Sequence, residues 1–157
     1  MNPKKPIRVI GRREFVDLPL LNIKNTEAKI DTGAFSSAIH CEDIKVVKEK
    51  GVDYLTFTLP SEFYPANKTQ YHKTEHFSQK KIKNSFGEAE ERYIIRTKIR
   101  IGRKLINADF SLSDRQSMRY PILIGRKAIK GKFIIDVKLA HLNGKKLSLY
   151  LKQIDKK

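Results

Sequence analysis

The chain has 157 residues, enough for one domain with a substantial core and hardly enough for two. Its 33 Lys and Arg residues outnumber 17 Asp and Glu residues, and the net charge of +16 favours acidic peptides, nucleic acids or acidic membrane surfaces as partners. Hydrophobic residues make up 39% of the chain, which excludes a disordered basic tail, and no apolar run approaches the roughly 20 residues that span a bilayer.

Short strands dominate the chain from its N-terminus onward. A basic tail, residues 1–6, is not followed by the apolar segment of a signal peptide, so we expect a cytoplasmic protein. Apolar and β-branched stretches bounded by turn residues then predict nine strands. These cover Ile7–Ile10, Glu14–Leu18, Glu27–Ile30, Tyr54–Leu59, Glu91–Ile101, Leu105–Leu112, Ile122–Ile124, Phe133–Val137 and Leu147–Leu151.

Helical signals are weaker. Arg126–Lys130 predicts a short helix that Gly131 ends, and Asp43–Lys50 is a second candidate. Residues 60–90 contain two prolines and little periodicity, which indicates a long loop leading to a flap-like hairpin, and residues 152–157 form a C-terminal tail. The pattern predicts a single mostly-β domain over residues 1–157, a closed barrel or sandwich with one or two short helices.

The basic residues are dispersed along the chain. The densest stretches, Lys80–Lys83 and Arg96–Lys104, alternate with apolar residues as strands with one solvated face do. A solvated face is therefore the first interpretation, and a nucleic-acid track is the alternative. No zinc knuckle, RNP-type aromatic motif or GXXG loop supports that alternative. Cys41 is the only cysteine, which excludes an internal disulfide, and we expect it to be a small buried residue.

Two motifs raise the question of whether Asp31 is a catalytic carboxylate. Lys29–Ser37 reads K-I-D-T-G-A-F-S-S, which by itself is compatible with a turn at the end of a strand, because Asp and Gly are common turn residues. Tyr120–Ile129 reads Y-P-I-L-I-G-R-K-A-I, an apolar strand followed by Gly125 and Arg126 at a helix start. A glycine at that position lets strand and helix pass close to another backbone. The two motifs alone leave a catalytic Asp31 and a simple turn both open.

The order of these motifs resembles that of aspartic proteases of the retroviral type. Nearly the whole chain is similar to a bacterial family of retropepsin-like proteins, historically named ATP-dependent zinc proteases and often encoded beside ATP-grasp glutamate ligases of the RimK type. The blocks that carry the resemblance are Gly11–Pro19, Ala28–Ala34, Ser36–His40, Asn84–Gly87 with Glu90 and Arg92, Ser113–Arg115 with Met118, Pro121–Arg126 and Phe133–Asp136.

The resemblance implies an aspartic endopeptidase with a retropepsin-like fold. It assigns catalysis to Asp31, Thr32 and Gly33, support of the active site to Ala34, Gly125 and Arg126, and flap or substrate contacts to Asn84, Ser85, Gly87 and Arg92. Hydrolysis by aspartates needs two carboxylates that share a proton. The chain has one Asp-Thr-Gly, so activity would require a C₂ homodimer with one Asp31 from each subunit.

Two positions depart from the retroviral pattern. Lys29 precedes Ile30 where many aspartic proteases have a second apolar residue. Retroviral enzymes have a carboxylate where this chain has Phe35, and that carboxylate pairs with the late arginine. Arg126 must therefore have another partner, which the sequence does not identify.

Two alternatives to an aspartic peptidase stay open. A retropepsin-fold module could bind acidic peptides or nucleic acid without cleaving them, although binding alone has no need of Thr32 and Gly33. His72–His76 spells H-x-x-E-H, an inverted zincin motif. Pro65 lies shortly before it, and no glutamate follows Glu91 to complete a zinc site, so we expect no metal or other cofactor.

The expected substrates are peptides or proteins with acidic or glutamylated tails. The net charge of +16 would concentrate such chains near the protein. The glutamate ligases that often accompany the similar family would supply them.

Overall fold

The computed structural model describes residues 6–64, 68–83, 86–114 and 119–155. Thirteen strands in these segments account for most of the ordered structure. They are β1 (Arg8–Gly11), β2 (Arg13–Leu18), β3 (Ile23–Ile30), β4 (Ser37–His40), β5 (Glu42–Glu49), β6 (Val52–Leu59), β7 (Gln70–Thr74), β8 (Ser78–Lys83), β9 (Ala89–Ile101), β10 (Lys104–Ser113), β11 (Ile122–Ile124), β12 (Phe133–Asp136) and β13 (Lys145–Lys146).

Three helical segments join these strands. A 3₁₀ turn covers Pro19–Leu21, α1 covers Arg126–Ile129 and α2 covers Leu147–Ile154. The short helix predicted after Gly125 is therefore confirmed. Within the described residues, neither helix has the length or apolar character needed to cross a membrane.

Six of the strands close into a barrel. Their order is β10-β4-β11-β3-β2-β9, and antiparallel pairing of β9 with β10 completes the ring. Two neighbouring pairs, β4 with β10 and β3 with β11, are parallel, while β8 extends the sheet beyond β9. This closed, mostly-β architecture confirms the predicted fold class.

The barrel interior follows from the alternation along its strands. In β9, Ile95, Ile99 and Ile101 are buried, whereas Lys98 and Arg100 between them are exposed. Successive side chains of a strand point to opposite faces, so the apolar set fills the core and the basic set faces solvent. The interpretation of this basic stretch as one solvated face of a strand is confirmed.

Two smaller sheets flank the barrel. In the first, β1 pairs in parallel with β12 and antiparallel with β13. In the second, β5, β6 and β7 form an antiparallel sheet. Cys41, between β4 and β5, is fully buried as predicted, and burial raises the pKa of its thiol to about 12.

A buried carboxylate joins the first turn to a segment near the end of the chain. Glu14 on β2 is 0% exposed, and its carboxylate oxygens accept the backbone N–H groups of Gly11, Leu142 and Asn143 at 2.8, 2.9 and 2.8 Å. Several backbone N–H donors to one carboxylate satisfy a charge that would otherwise be costly to bury. Glu14 therefore holds the chain before β13 against β2.

Two predicted elements are of the wrong type. Residues 43–50, predicted as a helix, lie mostly in β5, which pairs along its length with β6. The segment is the first strand of a hairpin, because Lys50 and Gly51 both have positive φ and form the tight turn between β5 and β6. Leu147–Leu151, predicted as a strand, opens α2. The alternating leucines mimic a strand, but Leu147, Leu151 and Ile154 also share one side of a helix.

The predicted long loop over residues 60–90 is also wrong in part. Both β7 and β8 lie within it, and β8 pairs with β9 as a hairpin. Their exposed, Lys-rich sequences hide the strand pattern. The predicted C-terminal tail begins too early, because α2 continues to Ile154. The short strand β4 was not predicted.

Candidate active site

The loop that carries Asp31 is fixed at its start by two parallel strands. Ile30 ends β3 directly beside Ile124 at the end of β11. The Asp31 N–H continues the pairing by donating to the Ile124 carbonyl at 2.8 Å, and the Ala34 N–H donates to the Asp31 carbonyl at 3.2 Å. Asp31 is therefore held by backbone at the point where two barrel strands end.

The Asp31 carboxylate is only partly covered. Its Oδ1 accepts the Gly33 N–H at 3.0 Å, the one hydrogen bond to this carboxylate within the described part of the chain. A Cβ at position 33 would lie 3.2 Å from the same oxygen, closer than most side-chain contacts. Glycine keeps this approach clear, so the N–H can orient the carboxylate while its other side faces solvent.

Gly125 lets two backbones meet behind the loop. A Cβ there would lie 2.5 Å from the Ser36 carbonyl oxygen and 2.7 Å from that of Phe35. The Gly125 N–H donates to the Oγ of buried Ser37 at 3.1 Å. This contact explains why the apolar strand must be followed by glycine.

Arg126 binds the loop from behind. Its N–H donates to the Ala34 carbonyl at 2.9 Å, and Nη1 of its side chain donates to the Thr32 carbonyl at 2.8 Å. The guanidinium also lies 6.0 Å from the centre of the Phe35 ring, at the limit of a cation–π contact. The carbonyl and the aromatic ring replace the carboxylate partner of the retroviral pattern, which answers the question that the sequence leaves open.

A large cavity adjoins the C-terminal end of the loop. Its volume is about 750 Å³, and Phe35, Ser36 and Ser37 form part of its wall. Five basic side chains and one acidic side chain also line it: Lys80, Arg92, Arg96, Lys127, Lys132 and Asp109. The wall therefore carries a clear excess of positive charge.

Asp109 is the acid in this wall and is already engaged. Lys127 Nζ lies 3.0 Å from its Oδ2 and Arg96 Nη1 lies 3.1 Å from its Oδ1. The hydrogen bond from Lys127, and then that from Arg96, hold the pKa of the Asp109 carboxyl below its usual value. The acid thus keeps its negative charge and orients two of the cations.

A smaller cavity adjoins the N-terminal end of the loop. Its volume is about 280 Å³, and Lys29 and Ile30 belong to its wall. The remaining lining residues are Arg12, Arg13, Arg119 and Tyr120. Four of the six side chains are cationic and none is acidic. Basic cavities therefore adjoin both ends of the segment that holds Asp31.

The predicted flap region is a hairpin tip between β8 and β9. Gly87 has a φ of +79°, which suits glycine at a tight turn, and neighbouring Phe86 is 89% exposed. Asn84 and Ser85 lie outside the described residues. Arg92, further along β9, lines the larger cavity, and its Nη2 is 3.5 Å from Glu90. The function of this hairpin as a flap stays a prediction.

The H-x-x-E-H segment does not have the helical geometry of a zincin. His72 lies on β7, where its ring stacks on Phe57 at 5.3 Å and burial lowers its pKa. His76 follows the strand, and its ring nitrogen lies 3.6 Å from Glu75. Among the described residues the segment contributes to no group of three metal-ligating atoms, whereas His40, Glu42 and Asp114 form one at the other end of β4.

Several residues of the site were not predicted as such. Ser37, Asp109, Lys127 and the two arginines at positions 12 and 13 all reach the loop or its cavities through tertiary pairing. The pairing of β4 with β10 and β11 brings Ser37 to Gly125 and Asp109 near the loop. All but Asp109 lie in sequence blocks already singled out: Ser37 follows the Asp31 motif, Lys127 follows Arg126, and Arg12 and Arg13 belong to Gly11–Pro19.

Comparison with known proteins gives a consistent family match. The family model described as RimB-like, retropepsin-like aspartic endopeptidase RimB, matches residues 9–146. A protein of Shewanella pealeana named probable alpha-L-glutamate ligase is 29% identical over 150 residues, which are 93% of this chain and 32% of that protein. A protein of the same name from Desulfotalea psychrophila is 30% identical over 106 residues, 68% of this chain and 23% of that protein.

The match to these curated relatives is a match to part of them. This chain spans about a quarter to a third of their length, since it aligns with 23% and 32% of the two proteins. A solved structure gives a full-length match instead. It is a Legionella pneumophila protein of unknown function, with a TM-score of 0.69 and 28% identity over 87% of this chain and 98% of that one.

Proposed function

The chain belongs to the RimB-like family of retropepsin-like aspartic endopeptidases, and from this premise we propose that it cleaves peptide bonds with a dyad of two Asp31 side chains, one from each subunit of a homodimer. The observation that carries the proposal is the rigid Asp31 loop. Backbone hydrogen bonds from Asp31 to Ile124 and from Arg126 to Ala34 fix its position, while the carboxylate keeps one open side.

The dyad follows from the chemistry of hydrolysis. One ionised carboxylate removes a proton from water, which attacks the peptide carbonyl, while the protonated partner donates to the carbonyl oxygen. Return of a proton to the amide nitrogen then breaks the C–N bond. Because one chain supplies one Asp-Thr-Gly, a second copy must supply the other carboxylate.

The side chains around the loop serve this chemistry in the proposal. The Gly33 N–H orients the carboxylate at 3.0 Å, and Arg126 holds the Thr32 carbonyl at 2.8 Å. A pre-organised carboxylate lowers the barrier because no reorganisation is needed when the water reacts. The hairpin that contains Gly87 would cover the substrate.

We propose acidic chains as the substrates. The cavities at both ends of the loop are lined by nine Lys and Arg side chains, five in one and four in the other, against Asp109 alone. An extended peptide that crosses Asp31 would run from one basic cavity to the other. Carboxylate side chains on both sides of the scissile bond would then be favoured, with a strong dependence on salt.

The named relatives suggest where such chains arise. Two of them carry a segment similar to this chain within a longer protein named as a glutamate ligase. The matched part is at most 32% of those proteins, so most of the length that the ligase name describes lies outside the match. We propose that this chain removes glutamate-rich tails of the kind that a ligase adds. A cytoplasmic location stays a prediction.

Mixing subunits tests the shared dyad. Wild type mixed with a fourfold excess of Asp31→Asn should retain about one fifth of its activity, because random exchange puts most wild-type subunits into heterodimers with a single carboxylate. The control is the same excess of Asp43→Asn, which changes an exposed acid outside the loop and should leave the activity per wild-type subunit undiminished. Activity unaffected by Asp31→Asn would exclude a dyad shared between subunits.

A peptide comparison tests the substrate and separates cleavage from binding. Peptides with oligoglutamate, oligoglutamine and mixed sequences are incubated with wild type and with Asp31→Asn at several salt concentrations. The proposal predicts cleavage of the glutamate peptide by wild type only, and slower cleavage as salt rises. Tight binding of that peptide or of single-stranded RNA, without cleavage from acidic to neutral pH, would favour the binding module instead.

A further inference from the structure

The end of β4 opposite to the Asp31 loop carries a second group of polar side chains. Strand β4 runs parallel to β10, so that Ser37 lies beside Phe110 and His40 beside Ser113. Three residue steps separate Ser37 from His40, roughly 10 Å along a strand. His40 therefore lies at the far rim of the barrel, beside Asp114, which follows β10.

His40 is held in one orientation. It is 1% exposed, and its ring packs against Phe63 with 4.1 Å between ring centres. The backbone N–H of His40 donates to the Pro121 carbonyl at 2.7 Å, and the backbone carbonyl of His40 accepts the Tyr64 hydroxyl at 2.5 Å. A buried imidazole fixed by its neighbours costs little conformational entropy when it binds a ligand.

Two carboxylates approach this imidazole from different strands. Glu42 Oε1, at the start of β5, lies 3.7 Å from His40 Nε2. Asp114 completes the group, and one donor atom from each of the three residues lies within 4.8 Å of the others. Ligands of a tetrahedral Zn²⁺ stand about 3.4 Å apart when each bond is about 2.1 Å long. The His40–Glu42 distance is already close to this value.

The two carboxylate side chains would have to rotate to bring all three ligand atoms to metal-binding distance. The Glu42 side chain is 29% exposed and Asp114 is exposed, so rotation of the two carboxylates can shorten the longest distance without disturbing the buried imidazole. A divalent ion would be attracted to both carboxylates at once.

The donor set limits the identity of the ion. One imidazole nitrogen and two carboxylate oxygens suit Zn²⁺ or Mn²⁺ better than ions that prefer sulfur. Cys41 lies between His40 and Glu42 in the sequence, but its side chain is buried in the hydrophobic core and its sulfur is not one of the grouped donor atoms. Water would fill the open positions.

We propose that His40, Glu42 and Asp114 bind one divalent metal ion, Zn²⁺ or Mn²⁺, at the barrel rim away from Asp31. The ion would join three segments, the end of β4, the start of β5 and the residue after β10. It would thereby fix the β5-β6-β7 sheet to the barrel. The role is structural and independent of the peptidase proposal, and it differs from zinc binding at His72–His76.

Metal binding is tested on tag-free protein, because a polyhistidine tag would bind the same ions. Chelator-treated wild type is titrated with ZnCl₂ and MnCl₂ in a calorimeter, and metal content is measured after desalting. We expect one ion per chain and a rise in Tm of about 5 °C or more at saturating metal. Glu42→Gln and Asp114→Asn, which keep side-chain size, should each weaken binding at least about tenfold and remove most of the rise in Tm.

Matched controls keep the proposal open to refutation. Glu49→Gln changes an exposed acid on the same strand as Glu42, and His76→Gln removes a histidine of the H-x-x-E-H segment. Both should bind metal as wild type does. Substoichiometric binding by wild type, equal binding by Asp114→Asn, or loss of binding in His76→Gln would each overturn the assignment. Since His40→Gln could unfold the core, the two carboxylate variants carry the test.

Discussion

Two carboxylates of the same barrel have opposite surroundings. Glu14 is fully buried and accepts three backbone N–H groups at 2.8 to 2.9 Å. Asp31 is partly exposed and accepts one, from Gly33 at 3.0 Å, among the described residues. Glu14 has its hydrogen-bonding capacity largely met by the protein, whereas Asp31 leaves most of its capacity to water, substrate or a second subunit.

The difference separates a structural acid from a candidate catalytic acid. A buried carboxylate surrounded by donors stabilises the fold and gains nothing from a proton. A carboxylate with one fixed contact and an open side can exchange a proton with water at little structural cost. Burial and donor count therefore predict which substitution harms folding and which harms activity.

Asp31→Asn should show the largest effect, and on activity alone. We expect peptide cleavage to fall about 10³-fold or more, because an amide can neither accept the proton of water nor share one with the partner. The Gly33 N–H can still bind the amide oxygen, so the Tm should stay within about 2 °C of wild type. Initial rates and circular dichroism melts measure the two quantities. A large loss of stability in Asp31→Asn would contradict the distinction drawn between Asp31 and the structural acid Glu14.

Glu14→Gln should show the reverse. One amide oxygen cannot accept all three N–H groups, and the amide NH₂ would face a donor, so we expect a loss of about 3 kcal/mol of unfolding free energy. For a domain of this size that corresponds to a Tm lower by about 6–12 °C. Activity per folded protein should be retained.

A surface acid provides the control for that variant. Glu49 pairs with Lys73 in solvent, so Glu49→Gln should cost less than about 1 kcal/mol. Chemical denaturation of both variants gives the comparison. Equal losses in the two would show that donor count at Glu14 is unimportant.

Gly125→Ala tests the support behind Asp31. The added Cβ would lie 2.5 Å from the Ser36 carbonyl oxygen, so the loop must shift. We expect a loss of about 2 kcal/mol and a decrease of roughly tenfold in activity, because the carboxylate moves with its loop. Gly51→Ala is the matched control. It strains a φ of +80° but meets no atom within 4 Å, so it should lower stability by about 1 kcal/mol and leave activity unchanged.

The surroundings of Asp109 are intermediate between those of Glu14 and Asp31. Its substitution should show the smallest effect of the series. Its pKa is lowered by hydrogen bonds from Lys127 and Arg96, so its ion pairs stabilise the protein above the unfolded pKa of about 4 and lose this effect as pH falls through the lower folded pKa. Asp109→Asn should therefore cost less than about 1 kcal/mol at pH 7 and nothing in strong acid. Urea denaturation from pH 7 to pH 2 checks the sign. A difference that grows towards low pH would contradict this account.

The local motifs of the candidate site can be recognised in the sequence. Asp31-Thr32-Gly33 and Gly125-Arg126 are compact motifs, and the structure brings them into hydrogen-bonding contact. The partner of Arg126 could not be predicted, because its contact with Thr32 depends on how β11 leaves the barrel. The structural role of Glu14 likewise could not be predicted from the sequence, since two of its hydrogen-bond donors are 128 and 129 residues away along the chain.

Errors in the predicted elements have different origins. The β5 segment was predicted as a helix because Lys50–Gly51 was not recognised as the tight turn of a hairpin with β6. The leucines at 147, 149 and 151 fit both a strand and a helix at first sight. The group at His40, Glu42 and Asp114 joins residues from separate strands, so spacing along the sequence cannot reveal it.

The parallel pairings at the two ends of the chain govern the order of events during synthesis. Strand β1 is made well before its partner β12, since Arg8 pairs with Phe133, and the Asp31 N–H finds its acceptor only when Ile124 has emerged. Contacts this distant along the chain form slowly. A nascent chain therefore carries Asp31 without the framework that aims its carboxylate until β11 has been made.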